Sequence, residues 1–184
     1  MRYYQPIKPA ALRQSDPPQS YLPIDPMKPH TLCLTGHRLL NAQDRQTIET
    51  MLPRAMEQLY TRGFRRVLCG GAIGFDQLAA DGVLHFRQQH PDVALWMILP
   101  CAGQEQGWSA AEKQHLTRLK YAADRVLVLS PSYYEGCMLV RNRFMVDRSA
   151  QVLCYLRHNK GGTLSTIAYA MREQVPILNM AMFD

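Results

Sequence analysis

The chain has 184 residues, 47% hydrophobic and 20% charged, a composition that suits one globular domain with a sizeable core. A net charge of +6 and a pI near 9.2 favour an anionic partner, either a phosphorylated small molecule or nucleic acid. No apolar run approaches the ~20 residues of a membrane span, so no membrane partner is expected. The N-terminus lacks the apolar stretch of a secretory signal, which makes a cytoplasmic product the expectation. The five cysteines (Cys33, Cys69, Cys101, Cys137, Cys154) are odd in number and lack a C-x-x-C pair. They read as small core hydrophobes, not as a disulfide framework. The six histidines show no metal-ligand spacing, so no metal is expected, and no motif specifies a cofactor.

Residues 1–29 hold seven of the twelve prolines and show no period of 2 or 3.6. They read as an extended N-terminal arm ahead of a domain at 30–184. Tyr3, Tyr4, Ile7, Tyr21 and Leu22 are apolar enough to pack along the domain, or along a partner subunit in a homo-oligomer.

From residue 30 the pattern alternates. A strand at 31–35 precedes a helix at 43–62 with Ile48, Met51, Leu52, Ala55 and Leu59 on one face, although Pro53 should kink or split it. A strand at 66–69 leads to a helix at 74–89 that turns Phe75, Leu78, Ala79, Val83 and Phe86 inward. A strand at 93–99 ends at Pro100, and a loop carrying Trp108 precedes a helix at 109–122. Trp108 reads as a core plug more than as a stacking platform. A strand at 126–129, a helix at 138–149 and a strand at 151–156 follow. The last helix starts at Thr163, with Leu164, Ile167, Ala168 and Met171 stacked on one face, and Pro176–Met180 closes as a sixth strand. Strict alternation of this kind predicts an α/β fold: a Rossmann-like open parallel sheet of about six strands with helices on both faces.

Four loops follow strands and so share the carboxyl edge of that sheet, where ligands bind in open α/β folds. In Gly70-Gly71-Ala72-Ile73-Gly74-Phe75-Asp76 the glycines let backbone N–H groups approach an anion at a helix start. Its other reading is a tight turn with Asp76 in the first helical turn. Gly161-Gly162-Thr163 repeats the geometry, and two such loops on one edge favour phosphate binding over two plain turns. In Thr35-Gly36-His37-Arg38, Arg38 can pair with phosphate and His37 can donate a hydrogen bond or move a proton. Arg141-Asn142-Arg143 opens a helix, the unfavourable end for cations unless an anion lies nearby. The competing account of Arg143 is a surface pair with Asp147. Neither the dinucleotide fingerprint nor the P-loop occurs.

Taken together, these residues resemble the SLOG superfamily of Rossmann-like proteins over about residues 30–180. Gly70–Asp76 with Ala79-Ala80, and Arg141-Asn142-Arg143 followed by Gly162–Thr166, are similar to the DprA/Smf proteins. The short length, Thr35–Arg38 and Gln104-Glu105-Gln106-Gly107-Trp108 look more like the YpsA-like branch. The LOG phosphoribohydrolases of the same superfamily carry P-G-G-x-G-T-x-x-E. Here Lys160 precedes the glycines, and Ala168 or Tyr169 stands where the acid would be, which argues against hydrolysis by that route. The resemblance implies a nucleotide-derived small molecule as partner, its phosphate held by the two glycine loops and Arg38 or Arg141. Two alternatives remain: DprA-like single-stranded DNA binding through Arg38, Arg141 and Arg143 with Tyr133 and Tyr134, and hydrolysis of a nucleotide glycosidic bond with Asp76 as acid–base group.

Overall fold

The computed structural model describes residues 25–158 and 161–182. The arm expected at 1–29 falls largely outside them, with its tyrosines, and so does Lys160. Six strands form one wholly parallel sheet: β1 (Thr31–Gly36), β2 (Arg66–Cys69), β3 (Ala94–Leu99), β4 (Arg125–Val128), β5 (Gln151–Tyr155) and β6 (Ile177–Asn179). Five helices connect them: α1 (Ala42–Thr61), α2 (Phe75–Phe86), α3 (Ala110–Ala122), α4 (Cys137–Asp147) and α5 (Gly161–Arg172). Each expected strand and helix is present, with ends displaced by a few residues at most. Among the described residues no helix is long and apolar enough to cross a membrane.

The strand order is β4-β3-β2-β1-β5-β6. Alternate strand residues point to opposite faces, so Leu32, Leu34, Val67, Leu95 and Met97 pack under α1, α2 and α3. Cys33, Leu68, Ile98, Val152 and Cys154 pack with Met145 and Val146 of α4 and Ile167 and Ala170 of α5. All five cysteines are buried and free, as small core hydrophobes would be, and Trp108 packs against the first of these cores.

Two expectations about helices are corrected. Pro53 lies inside α1 without splitting it, because it falls on the exposed face. There the carbonyl of Glu49, which loses its intrahelical donor, can turn to water. Helix α5 buries Thr163, Thr166, Ile167 and Ala170, whereas Met171 is 68% exposed. Polar bonds turn the helix away from its more apolar stripe. Thr166 Oγ1 donates to the Gly162 carbonyl (2.9 Å) and accepts from Asn142 Nδ2 (2.8 Å), tying α5 to α4.

The residues just ahead of β1 are bonded to the sheet. Asp25 pairs with the buried guanidinium of Arg66, whose Nε donates to Thr31 Oγ1, and Thr31 in turn donates to the Met27 carbonyl. Residues 25–29, read with the arm from their prolines, are therefore tied to the starts of β1 and β2.

The turn after β2 is shaped by what lies behind it. A Cβ on Gly74 would stand 2.2 Å from the Arg38 carbonyl oxygen, so only glycine lets the β2–α2 turn lie against the β1–α1 loop. Gly71 has φ +67, and a Cβ there would meet Met97 Cε at 2.6 Å and Leu116 Cδ1 at 2.9 Å. A side chain at Gly71 would point into the core.

Helix α1 begins with a reciprocal cap. Asn41 Oδ1 accepts from the Asp44 amide (2.7 Å), and Asp44 Oδ2 accepts from the Asn41 amide (3.0 Å). Asp44 Oδ1 then accepts from Tyr155 Oη (2.9 Å) and Arg157 Nη1 (2.7 Å), which ties the α1 start to the end of β5. Burial pushes the Asp44 carboxyl up, but Arg157, the Asn41 amide and Tyr155 outweigh it and hold the group below its usual value. Burial and the bond to Asp44 push the Tyr155 hydroxyl up to about 12.

Three outcomes follow from these contacts, each measurable by urea denaturation. Gly71→Val should destabilise the protein by about 2–4 kcal/mol, through left-handed strain and overpacking. Asp25→Ala should cost about 1–3 kcal/mol, because the buried Arg66 guanidinium loses its charged acceptor. Asp44 titrates below the ~3.9 of an unfolded aspartate, so its contribution is complete above that pH and fades as pH falls through the folded value. Asp44→Asn should accordingly lower stability at pH 7 and flatten the acid limb of a stability–pH profile.

Candidate functional site

Strand β1 lies between β2 and β5, and the chain leaves these neighbours in opposite directions. From β1 it runs outward through α1, α2 and α3 on one face; from β5 it continues through α5 on the other. The loops after β1 and β5 therefore part, and a crevice opens at the carboxyl edge between them. A cavity of about 960 Å³ occupies this position.

Its wall brings together eleven of the fourteen residues expected at the site: Thr35, Gly36, His37, Arg38, Ala72, Asp76, Arg141, Asn142, Gly161, Gly162 and Thr163. Gly70, Gly71 and Gly74 are not on it. Gly71 and Gly74 are consumed by the packing described above. The Gly70 carbonyl accepts from Arg141 Nη1 at 2.6 Å, and a Cβ on Gly70 would overlap that guanidinium.

Several side chains are committed to neighbours. Arg141 is 4% exposed; its Nη1 also donates to the Ile98 carbonyl (3.2 Å) and its Nε to Asn142 Oδ1 (2.7 Å). Its cation clamps α4 to the ends of β2 and β3, which accounts for a basic residue in the first turns of a helix. Arg143 is not paired with Asp147; its guanidinium lies 5.4 Å from the Tyr169 ring centroid, and Tyr169 Oη donates to Asp147 Oδ1 (2.7 Å). Imidazole Nε2 of His37 accepts from the backbone N–H groups of Arg157 (3.1 Å) and His158 (3.2 Å). An amide can only donate, so this nitrogen is unprotonated and the neutral ring carries its proton on Nδ1. Burial, then the neighbouring His158, holds the His37 pKa below the usual imidazole value despite Asp44. His37 thus pins the β5 loop, and Nε2 has no lone pair left for moving a proton.

The helix starts around the cavity differ in charge. Asp44 occupies the first turn of α1, Asp76 that of α2 and Glu112 that of α3, whereas α4 and α5 have no acid there. An acid in the first turn uses the positive end of the helix dipole that an anion would otherwise take. Gly161 and Gly162 are exposed at the start of α5. Arg38 and Arg45 are exposed on the cavity wall and form no ion pair among the described residues. Asp76 is buried: Oδ2 accepts from the Ala72 amide (3.2 Å), and burial raises its pKa against the pull of Arg141, that amide and Arg38.

Sequence reasoning did not select Asn41, Asp44, Arg45, Glu112, Met138 and His158, all of which line the cavity. Asn41-x-x-Asp44 is a legible capping pattern, as is Ser109-x-x-Glu112. Nothing in the sequence links Asp44 to Tyr155 and Arg157, more than a hundred residues away.

Comparison with known proteins fits this architecture. The chain is 25% identical over 138 residues to the SPbeta prophage-derived protein YoqJ of Bacillus subtilis, covering 68% of this chain and 81% of YoqJ. It is 24% identical over 136 residues to a UPF0398 protein of Bacillus thuringiensis, covering 73% and 74% of the two chains. Among solved structures, its fold is similar to DNA processing protein A from Helicobacter pylori, described with a single-stranded DNA binding mode (TM-score 0.56, 21% identity, 82% of this chain). DNA processing protein A from Streptococcus pneumoniae gives the same TM-score at 19% identity and 82% coverage. This chain spans 64% and 50% of those two proteins. The model of the YspA SLOG family (YpsA) matches residues 28–182, all six strands and five helices included, and the chain belongs to that family.

Proposed function

We propose that the chain binds a nucleotide or nucleotide-derived small molecule in the crevice between β1 and β5, with its phosphate at the start of α5. The observation that carries this reading is the distribution of charge among the helix starts. Those of α1, α2 and α3 are each neutralised by an acid, while that of α5 presents Gly161 and Gly162 to the same cavity without one. Arg38 and Arg45 add two uncommitted cations, and backbone N–H groups at a glycine-led helix start suit phosphate oxygens. A volume of about 960 Å³ accommodates a ligand of nucleotide size. Of the two glycine loops read from the sequence, this reading keeps Gly161-Gly162-Thr163 for phosphate and gives Gly70–Gly74 a packing role. A cytoplasmic setting accords with such a ligand.

Single-stranded DNA is the second reading, supported by the fold shared with a DNA-binding processing protein and by Tyr133 and Tyr134, 66% and 44% exposed. It needs a continuous basic track for the phosphates. Arg141 is buried on two carbonyls and Arg143 lies against Tyr169, which interrupts that track between Arg38 and the tyrosines. Glycosidic hydrolysis has less support, since Asp44 and Glu112 are engaged as caps and leave Asp76 without a second free carboxylate.

The test is a thermal-shift and calorimetric screen with ATP, ADP, AMP, NAD and ADP-ribose beside an oligo-dT. A specific ligand at ~100 times its Kd should add about 2.7 kcal/mol. Gly162→Asp meets no steric obstacle, since nothing lies within 4 Å of a Cβ there. An acid in the first helical turn should leave the unliganded protein as stable or slightly more so, while removing the ligand-induced shift. Retention of the full shift in Gly162→Asp would exclude phosphate from the α5 start. Submicromolar oligo-dT binding at ~150 mM salt would favour the DNA reading.

A further inference from the structure

Most polar groups around the crevice already have partners. Asp44 accepts from Asn41, Tyr155 and Arg157; Glu112 caps α3; His37 Nε2 takes two amides. Asp76 is different. It is 7% exposed and lines the cavity, and Oδ2 accepts from the Ala72 amide, but Oδ1 has no hydrogen-bond partner among the described residues. The sealed side-chain atoms without partners among those residues are Gln77 Nε2 and Gln151 Oε1, so Asp76 Oδ1 is not shut away from the cavity. Arg141 does not bond it either: its Nη1 donates to the carbonyls of Gly70 and Ile98 and its Nε to Asn142 Oδ1.

An open carboxylate oxygen of this kind accepts hydrogen bonds and repels phosphate. A phosphorylated ligand must then keep its anionic end off the Asp76 carboxylate, at the acid-free start of α5, and turn a neutral hydrogen-bond donor toward Asp76. In a nucleotide the donors attached next to the phosphate are the sugar hydroxyls. The Ala72 amide and the surrounding burial hold the carboxylate in place before any ligand arrives, so little ordering accompanies the bond.

We propose that Asp76 is a specificity residue that accepts a ribose hydroxyl through Oδ1, so that the crevice selects ribonucleotides over deoxyribonucleotides. The inference rests on the small-molecule reading above and narrows it to a ribose-bearing ligand. A deoxyribose presents one donor fewer and leaves a buried carboxylate oxygen unpaired, a loss that a site built around a hydroxyl registers strongly.

Calorimetry of the full chain with ATP, 2′-deoxy-ATP, 3′-deoxy-ATP and inosine triphosphate tests it. ATP should bind about 10-fold or more tightly than at least one of the two deoxy analogues. Inosine triphosphate should match ATP, and Asp76→Ala should bring ATP and the weaker deoxy analogue to equal affinity. Equal binding of ATP and both deoxy analogues by the wild-type protein overturns the inference and leaves the small-molecule reading intact. A preference for ATP over inosine triphosphate with no sugar dependence assigns Asp76 to the base amino group and likewise overturns it. If none of the four binds, the ATP-based ribose assignment fails, and the screen with NAD and ADP-ribose decides the broader reading separately. The wild-type comparison does not depend on the folding of Asp76→Ala.

Discussion

The cavity depends on one topological constraint, the adjacency of β1 and β5 with their following chains sent to opposite faces of the sheet. A parallel sheet whose strand order never reversed would close its carboxyl edge with successive, similarly placed loops. Here the loops after β1 and β5 diverge, and side chains bridge the gap they leave. Asp44 at the start of α1 holds Tyr155 and Arg157 at the end of β5, and His37 receives the amides of Arg157 and His158. Both ties cross the crevice at its base, so its width is set by hydrogen bonds and is not left to loop flexibility.

A second consequence concerns charge. Every helix that follows a strand presents its N-terminus to the same edge, and five partial positive ends converge there. Asp44, Asp76 and Glu112 neutralise three of them with acids belonging to the chain. Those acids cap, buttress or face the cavity, and they leave the polarity of the site uneven. The α5 start carries no acid, while the α2 start carries the Asp76 carboxylate with Arg38 close by. An asymmetric wall of this kind orients a ligand with one anionic and one neutral polar end.

Arg141 shows how a cation near a helix start can be held by the fold itself. Its guanidinium finds two carbonyls at the ends of β2 and β3, and only the missing side chain of Gly70 makes room for it. Its place near a helix start makes the residue look poised for an anion in the sequence, whereas its burial commits it to the fold. Arg143, two residues on, holds its guanidinium over the Tyr169 ring, 5.4 Å from the centroid, in a cation–π contact.

The sequence by itself determined the alternation of strands and helices, the parallel sheet, and the gathering of four loops at one edge. Each of these follows from local period and from the geometry of any strand–helix repeat. It also singled out most residues on the cavity wall, because loops after parallel strands have nowhere else to go. Only the tertiary structure decided which glycines of the two loops lie on the cavity wall. Gly71 and Gly74 turn toward Met97, Leu116 and the Arg38 carbonyl, contacts with segments tens of residues away on at least one side. It decided which face of α5 is buried, since Thr166 bonds to Asn142 and not to its own apolar stripe. It decided the roles of Asp44, His37 and Arg141, whose long-range partners lie 43 to 121 residues distant. A period in the sequence reports what a residue's immediate neighbours favour; which polar groups meet across a sheet edge depends on strand order, and no local pattern encodes that order.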